Sequence, residues 1–115
     1  MNSEQYKKLV DELIELLDEG VYIVDKDGTG IHYNKAMAKT EKVEVGDVLG
    51  KKFHEAFPDF NLGESTIYSA LVKKHAIRGN QQTYKNIYGK EITTENSTIP
   101  VIVDGEVVAL WIMSR

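Results

Sequence analysis

The segment from residue 19 to residue 36 constrains the fold most, because signals for a strand, a turn, a second strand and a helix start follow one another within it. Residues 21–24 (Val-Tyr-Ile-Val) are β-branched or aromatic, which is typical of a strand. Residues 25–30 include turn formers that tolerate positive φ, and residues 31–33 restore the alternation of a strand. Asn34 is a preferred helix N-cap. The segment therefore predicts a β-hairpin that is followed directly by a helix.

Two further helices are predicted from apolar residues that recur every three or four positions. The first spans residues 2–18, with Ser3 as its cap and Gly20 as the residue that ends it. The second spans residues 66–75 and has Ser65 as its cap. Both helices are expected to pack an apolar side against the rest of the chain.

The C-terminal third of the chain has the short alternating runs and the turn residues of strands. We expect three strands there, at residues 82–87, 91–99 and 107–113, with Pro100 between the last two. Short helical turns are expected over residues 40–58. Five strands with a helical insert between the second and the third indicate an α+β fold, in which one antiparallel sheet carries helices on one face.

The last predicted strand is apolar on both faces, unlike a strand that has one face in water. One face is expected to pack on the helical insert. The other is expected to pack against the N-terminal helix or a second copy of the chain, since an exposed patch of this size favours association. We therefore expect a homodimer. Its interface is predicted to comprise Tyr6, Val10, Leu13 and Leu17 of the helix and Leu110 and Ile112 of the strand.

Length and composition limit the class of protein. The chain has 115 residues, of which 14 are basic and 18 acidic, a net charge of -4 and no cysteine. This composition predicts one domain without the positive charge that nucleic-acid binding needs. The sequence contains no apolar run long enough to span a bilayer and no signal-peptide pattern, so we expect a cytoplasmic protein without membrane contact. The absence of cysteine excludes disulfides, thiolate metal sites and cysteine-linked chromophores.

The order of these elements resembles the PAS domain family over residues 17–113. The resemblance implies a five-stranded antiparallel sheet of order 2-1-5-4-3, with residues 1–18 as an N-terminal amphipathic helix and residues 19–115 as the sensory domain. The residues that match the family pattern are Gly20, Asp25, Gly28, Ile31, Tyr33, Asn34, Ala36, Gly50 and Gly89, together with the final apolar strand.

Two segments carry a narrower resemblance. Residues 80–84 (Asn-Gln-Gln-Thr-Tyr) and residues 91–100 are similar to the N-terminal sensory domain of bacterial sigma-54-dependent transcriptional activators, in particular the arginine-utilisation regulators. This resemblance implies that an ATPase module and a helix-turn-helix form the attached output. The sequence contains no Gly-x-x-x-x-Gly-Lys phosphate loop, so the chain is expected to be the input end of such a protein.

Polar residues occupy one side of two of the closing strands. Gln82, Tyr84 and Asn86 share a side of the first, and Thr94, Asn96 and Thr98 share a side of the next, since side chains repeat every second residue. If these sides face the helical insert, they line a polar cavity for a small metabolite. If they face outwards, they form a solvated sheet surface, and the pattern alone does not decide. The candidate ligand-binding residues are Tyr33, Phe53, Tyr68, Tyr84, Thr94, Asn96 and Thr98.

The three histidines show no metal-ligand spacing, so no metal site is expected. His75 lies where PAS oxygen sensors carry their haem ligand, but the favoured explanation is a residue at a helix carboxyl end that satisfies the last carbonyl groups, so haem is not expected. His32 is expected on the surface of its strand. Without cysteine, flavin photochemistry of the light-sensing type is excluded, and noncovalent flavin has no support. No nucleophile, base and orienting group can be assembled, so an enzyme is not expected.

Three hypotheses about function follow. The first is a sensory domain that binds a small ligand or a partner and transmits the change through the packing of the N-terminal helix on the last strand. The second is a ligand-free module whose role is dimerisation or protein interaction. The third is haem-based gas sensing through His75.

Overall fold

The computed structural model describes residues 1–60 and 66–115, without the side chains of residues 66 and 68. The helices are α1 (Ser3–Glu15), α2 (Lys35–Glu41), α3 (Phe53–Ala56) and α4 (Thr66–Lys73), with one 3-10 turn at Val45–Asp47. The strands are β1 (Gly20–Asp25), β2 (Gly30–Tyr33), β3 (Ile77–Lys85), β4 (Glu91–Val103) and β5 (Glu106–Ser114). They form one antiparallel sheet in the order β2-β1-β5-β4-β3, which confirms the α+β fold and the expected strand order.

The first hairpin forms as the turn chemistry of its sequence predicts. Tyr22 of β1 lies opposite Tyr33 of β2. Between the strands, the carboxylate of Asp25 accepts hydrogen bonds from the backbone N–H groups of Asp27 (2.9 Å) and Thr29 (3.0 Å). Gly28 adopts φ +82°, a conformation that costs glycine little. The turn is therefore held by one aspartate side chain and one glycine.

Helix α1 differs from its predicted bounds at both ends. Asn2, and not Ser3, is the N-cap: its side chain accepts from the N–H of Gln5, whose side chain accepts from the N–H of Asn2 in return. The helix ends at Glu15 in a tightened last turn, and Gly20 is the first residue of β1. No helix among the described residues is long and apolar enough to span a membrane.

Three other boundaries differ from expectation. Strand β3 begins at Ile77, five residues before its predicted start, and ends at Lys85. Helix α4 ends at Lys73, so His75 lies outside it, and the predicted cap Ser65 lies outside the described residues. Strand β4 continues through Pro100, which was expected between strands. The pairing of β4 with β3 ends at Thr98, so among the described strands β5 alone pairs with β4 at Pro100, and the missing N–H is tolerated there.

Strand β5 is buried on one face from Leu110 to Ser114, whereas Val108 on the same face is 39% exposed. Leu110 and Ile112 point into the core between the sheet and the helical insert and are 2% and 7% exposed. They are therefore unavailable to a second subunit, and the prediction of these two as interface residues was wrong. Trp111 and Met113 occupy the opposite face, where they are half-buried. Because both sets are apolar, the sequence pattern could not distinguish the inner set from the outer one.

Helix α1 lies mainly against β2 rather than on β5. Its contact with β2 includes a 2.6 Å interaction between Asp11 Oδ1 and His32 Nδ1. His32 is 6% exposed, so the expectation of a surface histidine was wrong: the ring faces away from the insert, as predicted, but α1 covers it. Ile14 is the buried apolar residue of the helix.

Candidate functional site

A small cavity lies between the inner face of the sheet and the helices. Its free volume is about 20 Å³, which is room for about one water molecule. Five aromatic side chains and a row of polar side chains surround it. The lining residues are Tyr22, Met37, Glu41, Phe53, Phe57, Phe60, Ile67, Gln82, Tyr84, Asn96, Thr98, Ile112 and Ser114.

The carboxyl group of Glu41 is buried in the wall of this cavity, with only 4% of the residue exposed. Its Oε1 accepts a hydrogen bond from the hydroxyl of Tyr33 and its Oε2 accepts one from the hydroxyl of Tyr84, each at 2.5 Å. Burial raises the pKa of Glu41 to about 7, whereas the two phenol hydrogen bonds act in the opposite direction. Near neutral pH the carboxyl group is therefore divided between its charged and its protonated form.

The two phenols remain hydrogen-bond donors throughout this range. Burial, and then the charge of Glu41, raise the pKa of Tyr33 and Tyr84 above the ordinary value for tyrosine. Neither phenol carries a positive charge, so they stabilise the carboxylate without neutralising it. When Glu41 is ionised, the site therefore holds a buried anion whose charge is not paired by any of its described hydrogen-bond partners.

Helix α2 places Glu41 because a buried asparagine holds each of its ends. At the start, Oδ1 of Asn34 accepts from the N–H of Met37 at 2.9 Å, which confirms the predicted N-cap. At the other end, Nδ2 of Asn86 donates to the carbonyl groups of Glu41 (3.0 Å) and Lys42 (3.2 Å). These contacts fix the backbone from which the carboxyl side chain reaches the cavity.

Strands β4 and β5 supply the polar wall of the cavity. Thr94, Asn96 and Thr98 are buried, so the polar side of β4 faces the helical insert and not the solvent. The amide group of Asn96 donates to Gln82 Oε1 at 2.8 Å and accepts from the hydroxyl of Ser114. The wall therefore offers both donors and acceptors of hydrogen bonds.

Tyr22 carries an unpaired polar group into this region. Its hydroxyl is buried and has no hydrogen-bond partner among the residues that the structure describes. The ring packs against three aromatic rings, with centroid distances of 5.3 Å to Tyr33, 6.3 Å to Phe53 and 6.1 Å to Phe57. A buried hydroxyl without a partner is costly, so this atom is available to a ligand or an ordered water.

An open groove of about 300 Å³ adjoins the cavity on the outside. Phe60, Gln82 and Tyr84 belong to the linings of both, so these three side chains separate the cavity from the surface. Asp59 also lines the groove. In the described part of the chain, neither lining includes a lysine, arginine or histidine.

Comparison with known proteins assigns the family. A family model described as the PAS fold matches residues 14–115. The chain belongs to the PAS family. It is 34% identical over 106 residues to the transcriptional activator RocR of Bacillus subtilis (strain 168), a match that covers 92% of this chain and 23% of RocR. This PAS domain thus spans about a quarter of the curated relative and is a sensory domain homologous to part of a transcriptional activator.

Solved structures support the same fold. The Escherichia coli DhaR(N)–DhaL complex matches with a TM-score of 0.78 and 15% identity, over 98% of this chain and 36% of that one. The Rhodobacter sphaeroides LOV protein matches with a TM-score of 0.77 and 11% identity, over 99% of this chain and 67% of that one. At these identities the likeness shows the fold alone.

The PAS domain brings most of the predicted ligand residues together. Phe53, Tyr84, Asn96 and Thr98 line the cavity. Tyr33 and Thr94 are outside the lining, but each contacts a residue that belongs to it. Tyr33 donates to Glu41, and the Thr94 hydroxyl lies 3.4 Å from that of Tyr84. The side chain of Tyr68 lies outside the described residues.

Sequence reasoning missed Glu41, the charged member of the site. A signal for it existed, because Glu41 follows Met37 by four positions and Ala38 by three, which places all three on one side of α2. Met37 and Ala38 are buried, and so is Glu41. A glutamate on the apolar side of a short helix is thus the pattern that would have pointed to the cavity.

The histidines lie away from the cavity lining. His54 and His75 are exposed, and His32 contacts α1 on the other side of the sheet. A haem ligand would have to reach into the cavity, so the position of His75 does not favour the haem hypothesis. Within residues 1–60 and 66–115, no three side chains of the metal-ligating types converge.

Proposed function

We propose that this PAS domain is a regulatory module that binds a small ligand in the cavity around Glu41 and transmits the change to an attached output. The observation that carries the proposal is the buried carboxyl group of Glu41 with the unpaired Tyr22 hydroxyl nearby. Polar groups in a core cost stability, and a sequence that needed only to fold would replace them with apolar residues. The identity with RocR supports a transcriptional activator as the output. We propose that it is of the sigma-54-dependent type, because residues 80–84 and 91–100 resemble the sensory domains of such activators.

Asn34 offers a route from the cavity to the N-terminal helix. Its Nδ2 donates to the carbonyl groups of Ile14 (2.8 Å) and Glu19 (3.1 Å), while its Oδ1 caps the helix that ends at Glu41. A ligand that displaces Glu41 would therefore move α2 and, through Asn34, the end of α1. To transmit a signal, the ligand must bind with unequal affinity to two conformations of the domain that differ in the position of α1. We propose the docking of α1 onto β2 as the element with two positions.

The exposed side of α1 supports the proposal of a homodimer. Tyr6 and Leu13 of α1 are 56% and 54% exposed, and the half-buried Val10 lies between them on the same side. Leu17 is 42% exposed and follows the end of the helix. The spacing of 4 and 3 between Tyr6, Val10 and Leu13 suits packing against a second, identical helix. The exposed apolar side of α1 and the half-buried outer face of β5 are the surfaces that we propose a second copy covers.

Replacing Leu13 with Asp should convert the dimer into a monomer. Leu13 is half exposed in the single chain, so a charge there should leave the fold intact and disfavour the helix pair. Sedimentation velocity measures the change. The matched control is Lys8→Asp, on the opposite side of α1, where only a surface ion pair with Glu12 is lost. An unchanged sedimentation coefficient for Leu13→Asp would count against the dimer proposal.

A ligand found by thermal-shift screening of amino acids, nucleotides and haem should bind at least about tenfold more weakly to Asn96→Ala, because that variant loses a hydrogen-bonding group from the cavity wall. Thr93→Ala is the control. Thr93 is exposed, pairs with Thr83 on the outer side of the sheet and belongs to neither lining, so this variant should keep the affinity. If the two variants bind the ligand with equal affinity, the ligand does not bind in the cavity around Asn96.

The alternative function is a ligand-free dimerisation module. It predicts that no compound of the screen raises the melting temperature and that native mass spectrometry finds the chain without a small molecule. The buried polar wall favours the sensory proposal, since a module that only dimerises needs no polar groups in its core.

A further inference from the structure

The charges around the cavity restrict the ligand that the proposed sensory function requires. Among the described residues, Glu41 is the one acidic group of the cavity lining, and Asp59 lines the groove outside it. Neither lining, as far as the structure describes it, has a basic side chain. A phosphate or carboxylate ligand would find no cation to pair with and would meet a buried negative group instead. The surroundings therefore disfavour anions.

The hydrogen bonding of Glu41 leaves room for a further donor. Each carboxylate oxygen has two lone pairs, and the phenols of Tyr33 and Tyr84 occupy one on each oxygen. Both donors are neutral, so the ionised carboxylate lacks a counter-charge. A positively charged donor at the cavity would supply the missing hydrogen bonds and the missing charge together.

Aromatic rings complete a site suited to a cation. Phe53 lies 5.5 Å from Phe57 and 5.2 Å from Phe60, and Tyr84 lies 5.7 Å from Phe57 and 5.3 Å from Phe60, all measured between ring centroids. These four rings line the same cavity as Tyr22 and Glu41. The faces of aromatic rings attract ammonium and guanidinium groups, most strongly where water is excluded.

We propose that the cavity binds a small organic cation, whose ammonium or guanidinium group contacts Glu41 among the aromatic rings and whose remaining polar atoms reach the amides of Gln82 and Asn96. This inference rests on the proposed ligand-sensing function. The ammonium or guanidinium group of the ligand has only hydrogen-bond donors, and Glu41 is the buried acceptor of opposite charge. The Tyr22 hydroxyl provides a further acceptor in the same lining.

Entry of the cation requires a side chain of the lining to move, because the free volume of about 20 Å³ is smaller than a guanidinium group. Tyr84 is the side chain that both separates the cavity from the groove and donates to Glu41. A cation that replaces the Tyr84 hydroxyl at Oε2 therefore opens the cavity and keeps the carboxylate hydrogen-bonded. This exchange gives the ligand a different affinity for the closed and the open arrangement, as signalling needs.

The test compares three probes of similar shape and different charge: n-propylguanidinium, n-propylurea and butyrate, each titrated calorimetrically at millimolar concentration. At about pH 8 the guanidinium should bind at least about tenfold more tightly than the urea, and butyrate should not bind. Glu41→Gln should remove the difference between guanidinium and urea. Glu12→Gln, which deletes the same charge from the exposed side of α1, should preserve it.

A second measurement does not depend on a variant. The affinity of the wild-type protein for n-propylguanidinium should rise about tenfold between about pH 6 and pH 8, because Glu41 must release its proton to pair with the cation, whereas the affinity for n-propylurea should stay constant. Preference for the urea or for butyrate, or no binding of the guanidinium, overturns the cation proposal. The proposed sensory function is tested separately, by whether the thermal-shift screen finds any ligand whose binding depends on Asn96.

Discussion

Replacement of Asn34 by Ala should lower the free energy of unfolding by about 4 kcal/mol, because one fully buried side chain makes four hydrogen bonds worth about 1 kcal/mol each. Its Oδ1 accepts from the N–H groups of Val21 and Met37, both at 2.9 Å, and its Nδ2 donates to the carbonyls of Ile14 and Glu19. The truncation leaves these four backbone groups without their partner. Urea unfolding, followed by the fluorescence of the single tryptophan, measures the loss.

Asn2→Ala provides the matched control, because Asn2 is also a helix N-cap but lies exposed at the start of α1. Water can replace its hydrogen bonds, so the loss should be about 1 kcal/mol or less. Equal losses for Asn2→Ala and Asn34→Ala would show that Asn34 acts as a cap alone. The larger loss at Asn34 is expected because that residue joins α1, β1 and α2, which are distant in the sequence.

The stability of the domain should fall as the pH rises from about 4.5 to about 7, by about 3 kcal/mol in total from Glu41. The pKa of Glu41 is raised from 4.5 to about 7 in the folded state, so the folded protein holds a proton there that the unfolded chain has lost. Below pH 4.5 Glu41 is protonated in both the folded and the unfolded protein, and its contribution to the free energy of unfolding is fully present. Between pH 4.5 and pH 7 this contribution is lost, because Glu41 ionises in the unfolded chain but stays protonated in the folded one.

Glu41→Gln isolates this contribution. The amide is neutral at every pH, so the variant should lack most of this decline and should be more stable than the wild type at about pH 8. The other groups that face Glu41 are the phenols of Tyr22, Tyr33 and Tyr84, whose pKa values are raised, so they do not titrate in this range. Titratable groups elsewhere are common to both proteins. Parallel pH profiles for the two would contradict the assignment.

The local elements of this fold could be predicted because short segments contain their own determinants. The hairpin of β1 and β2 depends on Asp25 and Gly28 within its own turn, and the start of α2 depends on Asn34 directly before it. The strand order required the family resemblance, since local patterns do not state which strands become neighbours. The expected order and the observed one agree.

The two faces of β5 show where such patterns stop being informative. Leu110 and Ile112 belong to the core, and Trp111 and Met113 to the half-buried outer face, yet both pairs are apolar. An alternation of apolar with polar residues would have identified the inner face. Without it, the choice depended on the position of the helical insert, which is a property of the folded chain.

The sequence by itself determined the class of fold, the hairpin, the helix cap at Asn34 and a polar side of β4 that included Asn96. Only the tertiary structure decided that this side faces inwards, that α1 lies on β2, and that a glutamate of α2 enters the cavity. The physical reason is distance along the chain: Tyr33 precedes Glu41 by 8 residues and Tyr84 follows it by 43. A buried carboxylate becomes a site only when these segments meet, because its burial, its raised pKa and its hydrogen bonds all come from neighbours that the local sequence does not contain.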